Sequence, residues 1–227
     1  MLTIEPFKAF GPHIFSLIDQ PDKWKQTLAD FARYYMAGSL GLALAIAMFS
    51  REIIAIMSDS AFYSSYRIIF VLCLSYVFYG LYSFSCYANN IVKKNWLISL
   101  SWLIAVIVSV SLNFILVPKY GMIEAMATSV IAYFVLVLAN LIGASKIYPI
   151  RYKYAYFIAI MGFTIAFYYL GSLINIGIVL SICIKACLLA LYIFIIYKSP
   201  YFSDRERAKI MSFLCYFGFF TQKNEKK

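Results

Sequence analysis

Six long apolar runs, separated by short polar or charged stretches, dominate the pattern of this chain. They are Tyr34–Phe49, Ile68–Ala88, Trp96–Val117, Met122–Gly143, Tyr154–Leu170 and Ile176–Tyr197. Helices of about 20 apolar residues cross a bilayer, whereas a membrane barrel uses alternating segments of about ten residues. In lipid, only these two architectures satisfy their own backbone amides. The pattern therefore predicts an all-α, polytopic membrane protein with six transmembrane helices.

Composition supports this interpretation. The 227 residues are 63% hydrophobic and only 13% charged, with a mean hydropathy of +0.81, which is too little charge to cover the surface of a soluble domain. The net charge of +10 does not indicate nucleic acid as a partner, because the basic residues lie in short stretches between the runs. The first 15 residues carry Glu5 and Lys8 and lack the apolar centre of a signal peptide, so we expect the first span to direct insertion.

The runs divide the chain into three parts. Residues 1–33 are expected to be a cytoplasmic segment whose surface helix begins near Pro21 and continues into the first span, because proline followed by Asp22 suits a helix start. Residues 34–197 form the six-helix membrane domain. Residues 198–227 form a basic cytoplasmic tail, in which residues 210–220 are too short to span and predict an interfacial helix.

Basic residues are distributed very unequally between the two sides of the predicted bundle. Sixteen Lys and Arg lie before the first span, in the second and fourth loops or in the tail, and three lie in the other loops. Because basic residues stay on the cytoplasmic side, both termini are predicted to be cytoplasmic. Pro118 and Gly121 then make a tight turn on the outer side, at the tip of a transmembrane hairpin.

The sequence of the predicted hairpin resembles that of a known family of membrane proteins. The stretch NFILVPKYGMIEAMATSVIAY, residues 113–133, resembles the C-terminal part of bacterial polysaccharide and oligosaccharide flippases in the multidrug/oligosaccharidyl-lipid/polysaccharide exporter superfamily. FGPHIFSLIDQPDKW, SREIIAIM and the Lys93-Lys94 loop extend the likeness over most of residues 7–145. Glu124 and Met126 depart from it, because small residues are usual at these positions.

The resemblance implies transport of lipid-linked sugars across the bacterial cytoplasmic membrane by alternating access between two helical bundles. Six spans then correspond to the C-terminal half, and the implied partners are membrane lipid, the lipid-linked sugar, and either an N-terminal half or a second copy. Two alternatives stay open. One is a cation-coupled drug exporter of the same superfamily, which favours an acidic residue inside a span. The other is a non-transporting remnant or an assembly subunit of a polysaccharide-synthesis complex.

Lys185 is the first candidate site residue, because it is the tenth residue of the last predicted span. A charge at the bilayer centre costs about 2.5–3.5 kcal/mol on insertion scales, and none of the ten acidic residues lies deep in a predicted span, since Glu124 is at the start of the fourth. Lys185 is therefore expected to be unpaired. It either binds an anionic group, such as a lipid pyrophosphate or a carboxylate of a partner lobe, or it snorkels towards water or stays neutral in a wet crevice.

The second span supplies the other candidates. Ser75, Tyr79, Ser83 and Tyr87 recur every four residues, and Asn113 lies near the end of the third span. Tyrosine offers sugars an apolar face with a hydrogen-bonding edge. The alternative is that these residues serve helix packing and interface anchoring.

No enzymatic activity, metal or other cofactor is expected. Catalysis of glycosyl or phosphoryl transfer needs clustered carboxylates or basic groups, and the acidic residues are scattered. The single histidine, His13, is distant in sequence from Cys183 and Cys187, so this cysteine pair is interpreted as buried and inert.

The predicted orientation can be tested with single cysteines in a cysteine-free variant. Lys119→Cys is expected to react with a membrane-impermeant thiol reagent from outside intact cells, because residue 119 follows the third span. Lys223→Cys should react only after the membrane is permeabilised. Labelling of both positions from the same side would contradict the orientation.

Overall fold

The computed structural model of the protein describes residues 11–57, 66–120, 122–145, 147–150, 152, 154–174 and 178–198, and these contain no β-strand. A short helix α1 comes first, followed by six helices long and apolar enough to cross a membrane. Their bounds are α1 Gly11–Phe15, α2 Pro21–Met57, α3 Tyr66–Ile91, α4 Trp96–Tyr120, α5 Met122–Ser145, α6 Tyr154–Leu173 and α7 Ile178–Lys198. The predicted fold class is confirmed: this is a multi-pass, all-helical membrane protein. The predicted tail helix lies outside the described residues.

Helix α2 is the longest and occupies the centre of the bundle. It begins at Pro21 as predicted, but it continues to Met57, eight residues past the predicted end of the first span. Its 37 residues extend about 55 Å at 1.5 Å per residue. The predicted surface segment is a continuous part of this helix, and its Trp24 and Leu28 are buried against Ala88 and Tyr148. This segment therefore packs onto the bundle.

Helices α2 and α3 approach each other closely at Gly80. The Tyr35 hydroxyl crosses this glycine and donates a hydrogen bond to the Tyr76 carbonyl at 3.2 Å. A Cβ at position 80 would lie 1.8 Å from that hydroxyl oxygen, which is well inside van der Waals contact. The absence of a side chain at Gly80 therefore allows the crossing of these two helices.

Helices α4 and α5 form the predicted hairpin, but its turn is shorter than expected. Helix α4 continues through Pro118 to Tyr120, so the prediction that Pro118 ends the helix was wrong. Proline in the last turn removes one backbone donor while its fixed φ remains helical, and such prolines are tolerated in membrane helices. Across the hairpin, Thr128 Oγ1 donates to Asn113 Oδ1 at 2.9 Å.

Helices α6 and α7 both pack against α2. Helix α7 buries Ser181, Lys185 and Tyr192 and exposes much of its apolar surface. The Tyr192 hydroxyl lies 2.8 Å from Thr164 Oγ1 of α6. The interface of α7 thus combines apolar packing with polar side chains, as expected in lipid, where apolar surface alone does not drive association.

The two ends of the bundle differ in charge. Trp24, Lys93, Lys94 and Tyr148 lie at the end that we call the basic end. Met57, Lys119 and Leu173 lie at the other, which we call the opposite end. The helices alternate in direction, so the segment before the first span and the second and fourth loops lie at the same end of the bundle. This is the grouping on which the count of basic residues was based.

The Gly80 crossing generates a stability prediction. Gly80→Ala should strongly reduce the yield of folded protein, because the new methyl group overlaps the Tyr35 ring and overpacking costs about 1–3 kcal/mol or more. Thermal unfolding in detergent measures the effect. Gly162→Ala is the matched control, since an added Cβ there meets nothing within 4 Å.

The Tyr35→Ala/Gly80→Ala double variant tests the mechanism. It should be no less stable than Tyr35→Ala alone, because the added methyl group enters space that the ring has vacated. Additive losses in the double variant would contradict the proposed overlap.

Candidate functional site

A cleft of about 380 Å³ lies between α3 and α4, with Tyr35 of α2 at its inner wall. It exists because α4 packs along α5 and makes few contacts with α3. Three of the predicted site residues, Tyr79, Ser83 and Tyr87, line it on α3. Asn90 continues the same helix face at the basic end and is exposed. The structure therefore brings half of the predicted set into one place.

The lining of the cleft combines aromatic faces with polar edges. Tyr79 lies 6.4 Å from Trp102 and 5.5 Å from Tyr133 between ring centroids, and Tyr82 lies 5.8 Å from Trp102. Ser83 Oγ donates to the Tyr79 carbonyl at 3.2 Å, so its hydroxyl oxygen can still accept a hydrogen bond. Such a surface can stack on an apolar face of a ligand and bind its hydroxyl groups.

Ser75 and Asn113 lie outside this cleft. Ser75 is buried and donates to the Val71 carbonyl at 3.1 Å within its own helix. Asn113 donates to the Ser109 carbonyl at 2.9 Å and accepts from Thr128 across the hairpin. These contacts join helices or satisfy the helix backbone, which corresponds to the packing alternative.

Lys185 is paired, so the expectation of an unpaired charge was wrong. Its Nζ lies 2.5 Å from Oε1 of Glu52 on α2, and both side chains are buried. Ser181 Oγ, one turn earlier on α7, donates to the same carboxylate oxygen at 3.0 Å. Lys185 is the eighth residue of α7, about a third of the way along the helix, and it is separate from the cleft.

Sequence reasoning missed Glu52 because the charges at 51 and 52 interrupt the apolar run, and both residues were assigned to a loop. On a helix, adjacent side chains point about 100° apart, so Arg51 is exposed while Glu52 is buried. The four-residue spacing of apolar residues along α2 could have identified Glu52 as a buried position. Met36, Leu40, Leu44 and Met48 recur every four residues on the buried face of α2, and Glu52 is the next member.

The carboxylate of Glu52 is only partly satisfied. Oε1 accepts from both Lys185 and Ser181, whereas Oε2 is buried and has no hydrogen-bond partner among the described residues. Buried ion pairs need further hydrogen bonds to offset desolvation. The second oxygen is therefore available to a proton or to a cation that enters this interface.

A second polar cluster, absent from the sequence predictions, lies at the basic end. Ser85 and Asn89 of α3 both donate to Oδ1 of Asn140 on α5, the latter at 3.1 Å, and the Tyr148 hydroxyl donates to Asn89 Oδ1. All four side chains are buried. Burial also raises the pKa of the Tyr148 phenol well above its usual range, so the phenol stays protonated as a donor. The cluster joins α3, α5 and the following loop.

Metal chemistry receives no support from the arrangement of side chains. Within the described ranges, no three His, Cys, Asp or Glu residues come together as a metal site requires. Cys183 and Cys187 are exposed on α7, so the prediction that they are buried was wrong.

The Glu52–Lys185 pair generates the second stability prediction. Lys185→Met should lower the free energy of unfolding by about 3–5 kcal/mol, because it leaves a buried carboxylate without its cation. The double variant Glu52→Gln/Lys185→Met should recover much of this loss. Unfolding in mixed SDS–detergent micelles measures both, and Lys119→Met, at an exposed position, is the control.

Additive losses in the double variant would show that the two charges do not stabilise each other. A negligible effect of Lys185→Met would equally contradict a buried, mutually dependent pair.

Comparison with known proteins adds no assignment. No protein-family model, curated protein or solved structure matches this chain. Function must therefore be argued from the cleft, the ion pair and the bundle themselves.

Proposed function

We propose that this chain is the C-terminal half of a flippase that moves lipid-linked oligosaccharide or polysaccharide precursors across the bacterial cytoplasmic membrane, with both termini in the cytoplasm. The observation that carries the proposal is the cleft between α3 and α4. Its volume of about 380 Å³ lies in the range of small-ligand sites. It runs from the middle of α3 to the basic end, where a substrate enters from the cytoplasm in the proposed orientation.

The lining favours a sugar over a purely apolar substrate. Tyr79, Tyr82 and Trp102 present aromatic faces, while Ser83 and Asn90 present hydrogen-bonding groups. Sugars have apolar faces of C–H groups and hydroxyl groups at their edges, so this combination matches both parts. Because the cleft lies between two helices that barely touch, the sugar can occupy it while the lipid chain stays in the bilayer.

The same face of α3 supports the presence of a partner bundle. Tyr76, Tyr79, Ser83, Tyr87 and Asn90 form a polar stripe that is exposed or half-buried. Polar groups facing lipid are costly, and alternating access needs two bundles that move around a site between them. An N-terminal half or a second copy of this chain would cover the stripe and complete the cleft.

Glu52 favours a second candidate function, a cation-coupled drug exporter. Such a transporter needs an acidic residue inside a span, and the sequence alone placed none there. Glu52 lies within α2 and is buried, with Oε2 unsatisfied among the described residues. It could exchange a proton or sodium ion while Lys185 and Ser181 hold the other carboxylate oxygen.

Binding in nanodiscs tests the sugar proposal directly. The chain should bind a polyprenyl-pyrophosphate oligosaccharide, and Tyr79→Ala should weaken binding up to about tenfold, since an aromatic contact contributes about 0.5–1.5 kcal/mol. Tyr169→Ala is the matched control, because Tyr169 is 64% exposed on α6 and outside the cleft. Equal affinity of all three proteins, or no binding, would contradict a sugar site here.

Reconstitution into liposomes tests the half-transporter proposal and the alternative. The chain alone should not flip the lipid-linked sugar, and robust flipping by a monomer of measured mass would refute the need for a partner. Export of a lipophilic cation driven by a proton or sodium gradient, and lost in Glu52→Gln, would favour the exporter. Binding and transport both absent would leave the assembly subunit as the supported function.

A further inference from the structure

A second cavity, almost wholly apolar, lies on the other side of the hairpin from the cleft. It has a volume of about 200 Å³ and lies between α5 and α6, with α3 as its floor. We call it the α5–α6 crevice. Leu81 and Phe84 form the floor, Val137 and Leu141 one wall, and Phe157 and Met161 the other. It exists because α5 and α6, although consecutive, hardly contact each other within the described residues.

Water is an unfavourable occupant of this crevice. Ser85 lines it, but its hydroxyl already donates to Asn140 Oδ1 and so can only accept a hydrogen bond from water. Water in a protein cavity needs two to four polar partners, and an apolar cavity of about 150 Å³ stays dry and binds benzene instead. An empty cavity also forfeits dispersion contacts along its lining. A hydrocarbon segment therefore fits the crevice better than water or vacuum.

The crevice opens towards the bilayer. Leu138 of α5 and Ile158 of α6 lie at its edges and are 39% and 72% exposed. In a membrane helix, exposed leucine and isoleucine side chains face lipid, so an acyl chain can enter sideways without crossing a polar barrier. The floor formed by α3 then limits how deeply the chain can enter.

Features at one mouth of the crevice favour an anionic lipid. Tyr152 and Tyr154 line it at the basic end, with ring centroids 6.1 Å apart, and tyrosine concentrates at the level of lipid headgroups. The sequence between α5 and α6, residues 146–153, carries three basic residues and no acidic one. Basic stretches beside a membrane attract anionic lipids by about 1 kcal/mol per residue.

We propose that the α5–α6 crevice binds one acyl chain of an anionic phospholipid, whose headgroup lies at the basic end beside Tyr152 and Tyr154. The lipid fills the gap that these two helices leave open and joins them across it. This site is separate from the sugar cleft and does not depend on the transport proposal.

Photo-crosslinking tests the site in nanodiscs that contain the full chain. The probes are phosphatidylglycerol and phosphatidylcholine, each with a diazirine in one acyl chain, and the adducts are mapped by mass spectrometry. Adducts should concentrate on α5 and α6 around Leu138, Ile158 and Met161, relative to Leu103 of α4, which is 57% exposed. Phosphatidylglycerol should give at least about fivefold more adduct there, as expected if one of the three basic residues contributes about 1 kcal/mol of headgroup attraction.

A larger side chain that fills the crevice should block lipid binding, and the same substitution outside the crevice is its control. Leu138→Trp should reduce the adducts on α6 severalfold, whereas Leu103→Trp, the same change on a lipid-facing surface without a crevice, should not. Ile158→Trp serves as a second filling variant if Leu138→Trp does not fold. Labelling spread evenly over α4, α5 and α6 would show ordinary annular lipid and overturn the proposal. Equal labelling by both headgroups, or competition by polyprenyl phosphate but not by phosphatidylglycerol, would also overturn it.

Discussion

The fold depends on close packing against the buried face of α2, because helices in lipid are held together by van der Waals contacts and interhelical hydrogen bonds. Met36, Leu40, Leu44 and Met48 present a continuous ridge on this face. Helix α3 packs on it through the close approach at Gly80, and α6 and α7 pack on it through Phe167 and Tyr192. Within the described residues, the hairpin is attached mainly through α3. Helix α2 thus links α3, and through it the hairpin, to α6 and α7.

The fold was largely predictable from the sequence. The number and order of the six spans follow from the lengths of the apolar runs, because a bilayer demands a near-constant span length. The start of α2 at Pro21 follows from the preference for proline in the first turn of a helix. The ends of helices were predicted less well. Hydropathy ended the first span at Phe49 and the third at Val117, yet both helices continue because a charged pair or a terminal proline need not interrupt backbone hydrogen bonding.

The candidate site was predictable only in part, and the reason is geometric. Tyr79, Ser83 and Tyr87 lie on one helix face, so their spacing alone placed them together. The Glu52–Lys185 pair and the Asn89–Asn140 hydrogen bond join residues 133 and 51 positions apart. Nothing local in the sequence specifies which helices become neighbours, so such pairs appear only when the bundle is assembled. Lys185, which the sequence alone predicted to be unpaired, forms a long-range ion pair with Glu52.

That separation also has a consequence for biogenesis. Glu52 is synthesised 133 residues before Lys185, which at 5–20 residues per second is roughly 7 to 27 seconds. During this interval the inserting α2 carries an acid whose partner does not yet exist. Its last turns must stay near water, take up a proton, or remain beside the translocon until α7 arrives. Helix α7 thus supplies the partner that α2 lacks until then, and we expect release of α2 into the bilayer to be linked to the neutralisation of Glu52.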